Sequence, residues 1–253
     1  SEGADVVVTD IVQSLEGIRP EDALEGWEGL PSVVKEIESM GRKSLGIYSD
    51  VSVQGDVNEL INEVVEKFGK IDILVNNAGS RPGKDRVLVV DLEEEALDLV
   101  MRVNVKGTFL CSQAVVKQMI AQKSGGKIVV ISSGAGKKGI AKYAAYCASK
   151  FALIGFTQSL AKEVGEYGIN VNAICPGLVD TERVDFIAAA LANSAESGAE
   201  YRAEMIQERS TVVPLGRVAQ GEDIANTAAF LCSDQSDYLT GLSISVSGGS
   251  EMS

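Results

Sequence analysis

The stretch YAAYCASK, residues 143–150, contains two tyrosines three residues apart and a lysine four residues after the second. A free tyrosine has a pKa of about 10, so a tyrosine that acts as a base near neutral pH needs a cation to stabilise its phenolate. Residues i and i+4 share one face of a helix, which places Lys150 beside Tyr146. Tyr143 has Cys147 at the same spacing, which favours a place in the pocket wall or in packing over proton transfer.

Histidine is absent from all 253 residues. Hydrolytic sites of the Ser-His-Asp and Cys-His types are therefore excluded, as are the usual mixed zinc sites. The four cysteines lie far apart, without the C-x-x-C spacing of a redox or zinc site, which is typical of structural thiols in a reducing compartment. No metal site is predicted, and acid–base chemistry must use a group other than histidine.

Charge and hydropathy exclude two further classes of protein. The net charge is −13 and no basic cluster is present, whereas nucleic-acid binding relies on lysine and arginine to neutralise phosphates. The apolar runs are far shorter than the ~20 residues that span a bilayer, and residues 1–10 lack a signal-peptide pattern. We therefore expect a cytoplasmic protein that binds neither nucleic acid nor membrane.

Short β-branched runs alternate with amphipathic helical stretches along most of the chain. Strands are expected at residues 4–10, 44–50, 71–79, 126–133 and 169–177, and helices at residues 32–41, 57–69, 92–122 and 143–166. The strands are apolar throughout, which is typical of strands buried on both faces. The pattern predicts an α/β fold: one domain with a doubly wound, Rossmann-type parallel sheet and helices on both faces.

Polar and glycine-rich clusters follow each predicted strand, and in parallel sheets ligands bind beyond the carboxyl ends of the strands. The clusters are Asp10, Asp50, NNAG at 76–79, SSGAG at 132–136 and PGLVDT at 176–181. Ser133 ends one such strand, where its hydroxyl can donate to a carbonyl or alkoxide oxygen. Its neighbour Ser132 is expected to bond to backbone.

Asn104 lies inside a predicted helix, where asparagine is intrinsically poor because its side chain competes for backbone hydrogen bonds. This misfit indicates a local function, such as holding a water molecule within reach of Lys150. A simple solvent-facing asparagine is the alternative.

Five segments in order resemble the short-chain dehydrogenase/reductase family, nicotinamide-dependent oxidoreductases with a doubly wound fold. They are NNAG (76–79), NVKGTF (104–109), VVISSGAG (129–136), YCASK (146–150) and NVNAICPG (170–177). Any one segment is weak support, but the ordered set is specific, and the resemblance extends over residues from about 4 to 250. It implies that Tyr146 is the acid/base and Lys150 its partner. It further implies that Ser133 polarises the substrate oxygen and that Asn104 anchors a proton-relay water.

The resemblance also implies a cofactor site. An acidic residue that ends the second strand of the family's fold, here Asp10, accepts hydrogen bonds from the adenosine ribose and repels a 2′-phosphate, so NAD is predicted over NADP. The remaining cofactor contacts implied are Asp50, Val51, Asn77, Ala78, Gly79, Tyr146, Lys150, Pro176, Gly177, Val179 and Thr181. Substrate contacts are expected at Ser133, Tyr143 and Tyr146.

Two features depart from the family. Members normally begin with a strand, a T-G-x-x-x-G-x-G turn and a helix that holds the pyrophosphate, and this motif is not in the sequence. We therefore expect that an N-terminal βα unit of roughly 30 residues is missing from the chain as given. The segment at 11–31, which contains Trp27, is longer than usual, and a plain surface insertion is favoured over a cover for the cofactor.

The substrate lid is expected at about 178–216, with helices near 182–193 and 198–209. The lid sequence has no basic cluster suited to a phosphate or coenzyme A group, which favours an uncharged alcohol, ketone or polyol. The leading hypothesis is an NAD-dependent alcohol dehydrogenase or ketone reductase. A 3-oxoacyl thioester reductase and a non-catalytic dinucleotide-binding protein remain open alternatives.

Assembly is predicted from helix composition. The helical stretches 108–122 and 151–164 carry apolar residues on more than one side, which indicates burial beyond the core of the domain itself. By the resemblance these helices pair between subunits, which implies a homotetramer or a homodimer.

Overall fold

The structure is a computed structural model that describes residues 2–11, 29–192 and 198–252. The long segment at 11–31, with Trp27, lies almost entirely outside the described residues. The chain divides into two compact units, Ser1–Ile71 and Asp72–Ser253. All strand pairings within each unit are parallel, as predicted.

The first unit contains two strands and two helices in alternation. They are β1 (Val6–Asp10), α1 (Leu30–Ser39), β2 (Ser44–Tyr48) and α2 (Gln54–Phe68). β1 and β2 form a two-stranded parallel sheet. Gly46 of β2 lets α1 pack closely, since a Cβ there would lie 3.2 Å from the side chains of Leu30 and Val34. Gly69 ends α2 in the left-handed conformation, at φ 80°, which glycine adopts readily.

The second unit contains a four-stranded parallel sheet in the order β3-β4-β5-β6. Its strands are β3 (Ile73–Asn76), β4 (Gly126–Ile131), β5 (Ile169–Pro176) and β6 (Ser243–Val246). Its α-helices are α3 (Glu94–Val100), α4 (Thr108–Gln122), α5 (Ala144–Val164), α6 (Arg183–Leu191), α7 (Gly198–Val212) and α8 (Gly221–Leu231). A π-helical turn occupies Met101–Gly107, and 3₁₀ turns occupy Val89–Asp91, Gly134–Gly136, Gly165–Tyr167 and Asp234–Ser236.

The core of the second unit lies around the two central strands. Val129 of β4 and Ile174 of β5 are at most 1% exposed and pack with Leu231 of α8. Helices α4, α5 and α8 pack against the sheet. A parallel sheet flanked by helices is the predicted α/β, Rossmann-type fold, which the structure confirms.

Three details differ from the sequence expectation. The helix expected at 92–122 is α3, the π-helical turn and α4, because the backbone widens around Asn104. Helix α8 and strand β6 were not assigned from the sequence. Burial on both faces holds for β4 and β5, but Ile73 and Val75 of β3 are 38% and 44% exposed. β3 has a strand neighbour on one side only in the described structure, so less of its surface is covered.

Within residues 2–11, 29–192 and 198–252, no helix combines the length and the apolar character needed to cross a bilayer.

Candidate active site

The segments that follow β3, β4 and β5 line one cavity of about 860 Å³ in the second unit. It contains side chains from four of the sequence motifs, because parallel strands present their carboxyl ends at a common edge. The cavity lies within the 300–1,000 Å³ typical of small-molecule sites. Ser133, Tyr146 and Lys150 all line it.

Tyr146 and Lys150 lie one turn apart on α5, as their spacing predicts. The Lys150 Nζ is 5.6 Å from the centre of the Tyr146 ring and donates a 2.8 Å hydrogen bond to the carbonyl oxygen of Ile131. Lys150 is only 5% exposed. Its ammonium is therefore fixed between the end of β4 and the tyrosine.

The surroundings of Tyr146 favour the phenolate. Burial by itself raises the pKa of Tyr146, but the positive charges of Lys150 and Arg183, a hydrogen bond with Ser133 and the charge of Arg86 outweigh it. The pKa of Tyr146 is therefore lowered from the usual 10. Burial also lowers the pKa of Lys150, while the negative charge of the phenolate acts in the opposite direction.

A tight turn after β4 positions Ser133. The Ser133 hydroxyl accepts a 3.1 Å hydrogen bond from the backbone N–H of Ala135, and the neighbouring Ser132 hydroxyl donates one of 2.9 Å to the carbonyl of Lys150. Ser132 thus bonds to backbone, as expected. The turn lies directly against α5, since a Cβ at Gly136 would be 2.7 Å from the Lys150 carbonyl oxygen.

Asn104 lies in the π-helical turn and is fully buried, which excludes the solvent-facing alternative. Its Oδ1 accepts a 2.8 Å hydrogen bond from the Ser80 N–H, and its Nδ2 donates one of 2.9 Å to the Ser149 hydroxyl. These bonds connect the segment after β3 to α5, one residue before Lys150. Single π-helical turns occur frequently at functional sites. The proton-relay water stays a prediction.

Tyr143 lies at the start of α5 and lines the cavity, where the sequence had placed it as a wall residue. Its ring meets that of Tyr146 edge to face, with centroids 6.3 Å apart. Burial raises the pKa of Tyr143 above its usual value, and the charge of Arg86 offsets this only in part. The pKa values of the two tyrosines are therefore shifted in opposite directions.

Two arginines beside Tyr146 were not identified as site residues from the sequence. The Arg86 guanidinium carbon lies 4.3 Å from the centre of the Tyr143 ring and 4.6 Å from that of Tyr146, and Arg86 forms an ion pair with Asp85. The Arg183 guanidinium carbon lies 5.5 Å from the Tyr146 ring. Arg183 lies within the expected lid segment at 178–216, and the one sequence signal for Arg86 is the charged pair Asp85–Arg86 shortly after NNAG.

Most residues expected at the nicotinamide and adenosine side of the cofactor line the same cavity. They are Asn77, Gly79, Pro176, Gly177, Val179 and Thr181, whereas Ala78 is not among the lining residues. Backbone approaches are close here, since a Cβ at Gly177 would lie 3.2 Å from the Cα of Ser247. A cavity edged by glycines at strand ends fits the nicotinamide end of a dinucleotide.

Asp10, Asp50 and Val51 belong to the first unit. Asp10 ends β1, and its carboxylate accepts a 2.7 Å hydrogen bond from the backbone N–H of Ile11. Asp50 follows β2, and its carboxylate accepts hydrogen bonds from the N–H and hydroxyl of Ser52. A 2.8 Å bond from the Ser49 N–H to the Asp10 carbonyl joins the two strand ends, so both acids lie at the carboxyl edge of this sheet.

The expected lid contains α6 and α7. Arg202 of α7 binds Asp180 and Asp185, both at 2.6 Å, and so joins the second helix to the start of the first. Ile187 of α6 and Met205 of α7 line the cavity with apolar surface.

Comparison with known proteins agrees with this geometry. A family profile described as Enoyl-(Acyl carrier protein) reductase matches residues 1–251. A short-chain dehydrogenase/reductase of Armillaria gallica is 39% identical over 87% of this chain and 80% of its own length. The 3-oxoacyl-acyl-carrier-protein reductase of Staphylococcus aureus is 39% identical over 89% of this chain and 84% of its own. The sorbitol dehydrogenase of Cereibacter sphaeroides is 36% identical over 100% of this chain and 90% of its own.

Solved structures extend the likeness to the fold. The crystal structure of levodione reductase covers 98% of this chain and 88% of its own, at 30% identity and a TM-score of 0.84. That of NAD⁺-bound xylitol dehydrogenase covers 87% of this chain and 84% of its own, at 32% identity and a TM-score of 0.77. The profile match over almost the whole chain, the relatives and the shared fold lead to one conclusion: the chain belongs to the short-chain dehydrogenase/reductase family of oxidoreductases.

Proposed function

We propose that this chain is an NAD-dependent alcohol dehydrogenase or ketone reductase, in which hydride moves between nicotinamide and the carbinol carbon of a secondary alcohol. The observation that carries the proposal is the grouping of Tyr146, Lys150 and Ser133 on one cavity, with a lowered pKa for Tyr146. A tyrosine with this surrounding is an acid/base group that works without histidine.

Each residue has a distinct proton-handling role in this proposal. In oxidation the Tyr146 phenolate accepts the hydroxyl proton of the substrate, and in reduction the Tyr146 hydroxyl returns it to the carbonyl oxygen. Ser133 donates a hydrogen bond to that oxygen, and Lys150 stabilises the phenolate. The bound nicotinamide accepts or supplies the hydride. Asn104 holds α5 in register with the segment after β3 and is proposed to anchor a relay water through its remaining donor capacity.

NAD is proposed over NADP because of Asp10. A carboxylate at the end of β1 accepts hydrogen bonds from ribose hydroxyls and repels a 2′-phosphate, and Asp50 adds a second negative charge at the same sheet edge. The xylitol dehydrogenase with a similar fold binds NAD⁺. Titration of both cofactors against the protein tests this proposal: we expect tighter binding of NAD, and tighter binding of NADP contradicts it.

A secondary alcohol or ketone is the proposed substrate class. Two similar proteins are named for sorbitol and levodione, which are such compounds. The S. aureus relative supports the alternative, a 3-oxoacyl thioester reductase. Reduction rates for a cyclic ketone, a ketose and an acetoacetyl thioester, compared at equal concentration, separate the two. The apolar surface of Ile187 and Met205 in the cavity supports a small ketone over a bulky thioester.

An oligomer in a reducing, cytoplasmic compartment is also proposed. Phe109 of α4 and Phe151 of α5 are 43% and 47% exposed. They lie on the two helices that carry apolar residues on more than one side, and exposed apolar side chains of this kind support a contact with another subunit. The four cysteines are free thiols. Light scattering coupled to size exclusion tests the assembly, and we expect the mass of a tetramer or a dimer.

The activity itself is tested on full-length protein with a panel of alcohols and ketones, with NAD and NADP in parallel and nicotinamide fluorescence as the readout. Turnover of a secondary alcohol or ketone with NAD is the expected result. Binding of NAD without turnover of any compound on the panel overturns the proposed activity.

A further inference from the structure

The charge of the cavity is opposite to that of the chain. The sequence carries a net charge of −13. Five cationic side chains nevertheless line the cavity: Arg86, Lys138, Lys150, Arg183 and Arg209. Only two acidic side chains, Glu208 and Glu251, are among its lining residues in the described part of the chain. An acidic protein that gathers positive charge in one cavity attracts anions to it.

Some of these cations have protein partners. The Lys138 Nζ lies 2.8 Å from the Glu251 carboxylate, and Arg86 forms its ion pair with Asp85, which is not a lining residue of the cavity. The Lys150 ammonium lies beside Tyr146 and donates to the Ile131 carbonyl oxygen. These cations alone therefore do not require an anionic ligand.

Arg183 and part of Arg86 are different. Arg183 is half-buried, and within the described ranges its guanidinium makes no ion pair and no hydrogen bond to protein, only the contact with the Tyr146 ring. The Nε of Arg86 is buried and has no hydrogen-bond partner, although Arg86 as a whole is only 3% exposed. The unpaired Arg183 guanidinium thus lines the cavity on the side of the catalytic tyrosine, and the more deeply buried Arg86 lies against the same ring.

Unused guanidinium donors are matched best by a carboxylate. The planar group presents its N–H donors in a fork that fits the two oxygens of a carboxylate, and such charge-assisted bonds are stronger than neutral ones. An uncharged ketone supplies only the single oxygen that Ser133 and Tyr146 already bind.

We propose that the substrate carries a carboxylate close to the reacting carbon, and that Arg183, assisted by Arg86, recognises it. The inference rests on the proposed function, since it names the substrate class of the same site: hydroxy acids and the corresponding oxo acids. The two guanidinium carbons lie 5.5 Å and 4.6 Å from the Tyr146 ring. That proximity favours a carboxylate one or two bonds from the carbinol carbon.

This substrate class replaces the uncharged one that the lid sequence favoured. The lid sequence alone contains no basic cluster, because the cluster is assembled from separate segments. Arg86 follows β3, Lys138 follows β4, Lys150 is on α5, and Arg183 begins α6. Only the fold brings these segments to one cavity.

Paired substrates provide the test. Oxidation of 2-hydroxybutyrate and 3-hydroxybutyrate with NAD is compared with oxidation of the matching amides, which keep the shape and remove the charge. We expect kcat/KM for at least one acid to exceed that of its amide by about tenfold or more. Equal or better use of both amides by the wild-type protein overturns the inference.

The Arg183→Met variant locates the effect. Loss of its charge also weakens stabilisation of the Tyr146 phenolate, which lowers kcat/KM for the acid and for the amide alike. The ratio of kcat/KM for the acid to that for the amide therefore isolates recognition of the carboxylate. We expect this ratio to fall to a value between about 1 and about 3 in Arg183→Met. Arg183→Lys should keep part of the preference for the acid. The control is Arg81→Gln. Arg81 stacks on Phe186 of α6, the helix that begins with Arg183, but it is not a lining residue of the cavity, so this variant should leave the ratio unchanged.

The diphosphate of the cofactor is the other source of an anion. If Arg183→Met weakens NAD binding about tenfold and leaves the acid-to-amide ratio unchanged, the arginine binds the cofactor and the inference is wrong.

A readout independent of turnover separates this inference from the proposed function. Calorimetry with the inert pair isobutyrate and isobutyramide, in the presence of NAD, should show binding of the acid that Arg183→Met abolishes. That result without turnover of any alcohol would refute the proposed activity alone, whereas turnover without carboxylate preference would refute the inference alone.

Discussion

Tyr146 and Tyr143 are in ring contact in the same cavity, yet their hydroxyls have opposite tendencies to ionise. Lys150, Arg183, Ser133 and Arg86 lower the pKa of Tyr146 against the effect of burial. For Tyr143, burial dominates and the pKa is raised. The difference shows that a shared cavity does not make a catalytic base; an ammonium one helical turn away and a hydroxyl partner do.

The largest expected effect separates the two tyrosines directly. Tyr146→Phe removes the proton donor and acceptor, and kcat should fall by about 10²–10⁴, the usual contribution of a general acid/base, with NAD affinity nearly unchanged. Tyr143→Phe keeps the ring against Arg86 and should cost less than about tenfold. Steady-state kinetics on both variants, with NAD titration, make the comparison. A larger loss for Tyr143→Phe reverses the assignment.

Lys150→Met tests the cation that distinguishes the two positions. The variant keeps the buried stem but removes the ammonium that lies 5.6 Å from the Tyr146 ring. The pKa of Tyr146 should rise, and kcat for oxidation at neutral pH should fall by about tenfold for each pKa unit. Partial recovery at high pH is the signature of a pKa effect. If the loss is the same at every pH, Lys150 acts by position and not by charge.

The pH profile of the wild-type protein sharpens the comparison further. Oxidation needs the phenolate, so kcat/KM should rise with pH through an apparent pKa below 10 and then level off. Reduction needs the protonated hydroxyl, so it should fall above the same pKa. Arg183→Met removes one of the charges that lower this pKa, so the midpoint should move upward, whereas Arg81→Gln should leave it in place. A midpoint that moves down contradicts the electrostatic account.

The smallest effect concerns the turn that holds Ser133 beside Tyr146. A Cβ at Gly136 would lie 2.7 Å from both the Lys150 carbonyl oxygen and the Ser132 hydroxyl, so Gly136→Ala must push the turn away from α5. We expect a loss of about 1–3 kcal/mol in unfolding free energy, the usual cost of overpacking. Gly139→Ala is the matched control, because its Cβ would meet nothing within 4 Å. Denaturant melts of both variants decide, and equal stability of the two contradicts the close contact.

Much of the second unit follows from local sequence signals. Strands β3 to β5 and most helices lie close to their predicted positions because hydrophobic periodicity is a property of neighbouring residues. Asn104 was singled out because asparagine fits a helix poorly, and it lies in a π-helical turn. The turn itself was not predicted, since it depends on bonds from Asn104 to Ser80 and Ser149, which are distant in sequence.

The sequence by itself determined the family, the α/β fold and the tyrosine–lysine pair, because each depends on spacings within one element or on an ordered set of motifs. Only the tertiary structure decided the charge around that pair. Arg86 and Arg183 are 97 positions apart in the chain, and both guanidinium groups lie over the ring of Tyr146. Electrostatic surroundings depend on distance in space, and no local pattern in the chain records which side chains a fold brings together.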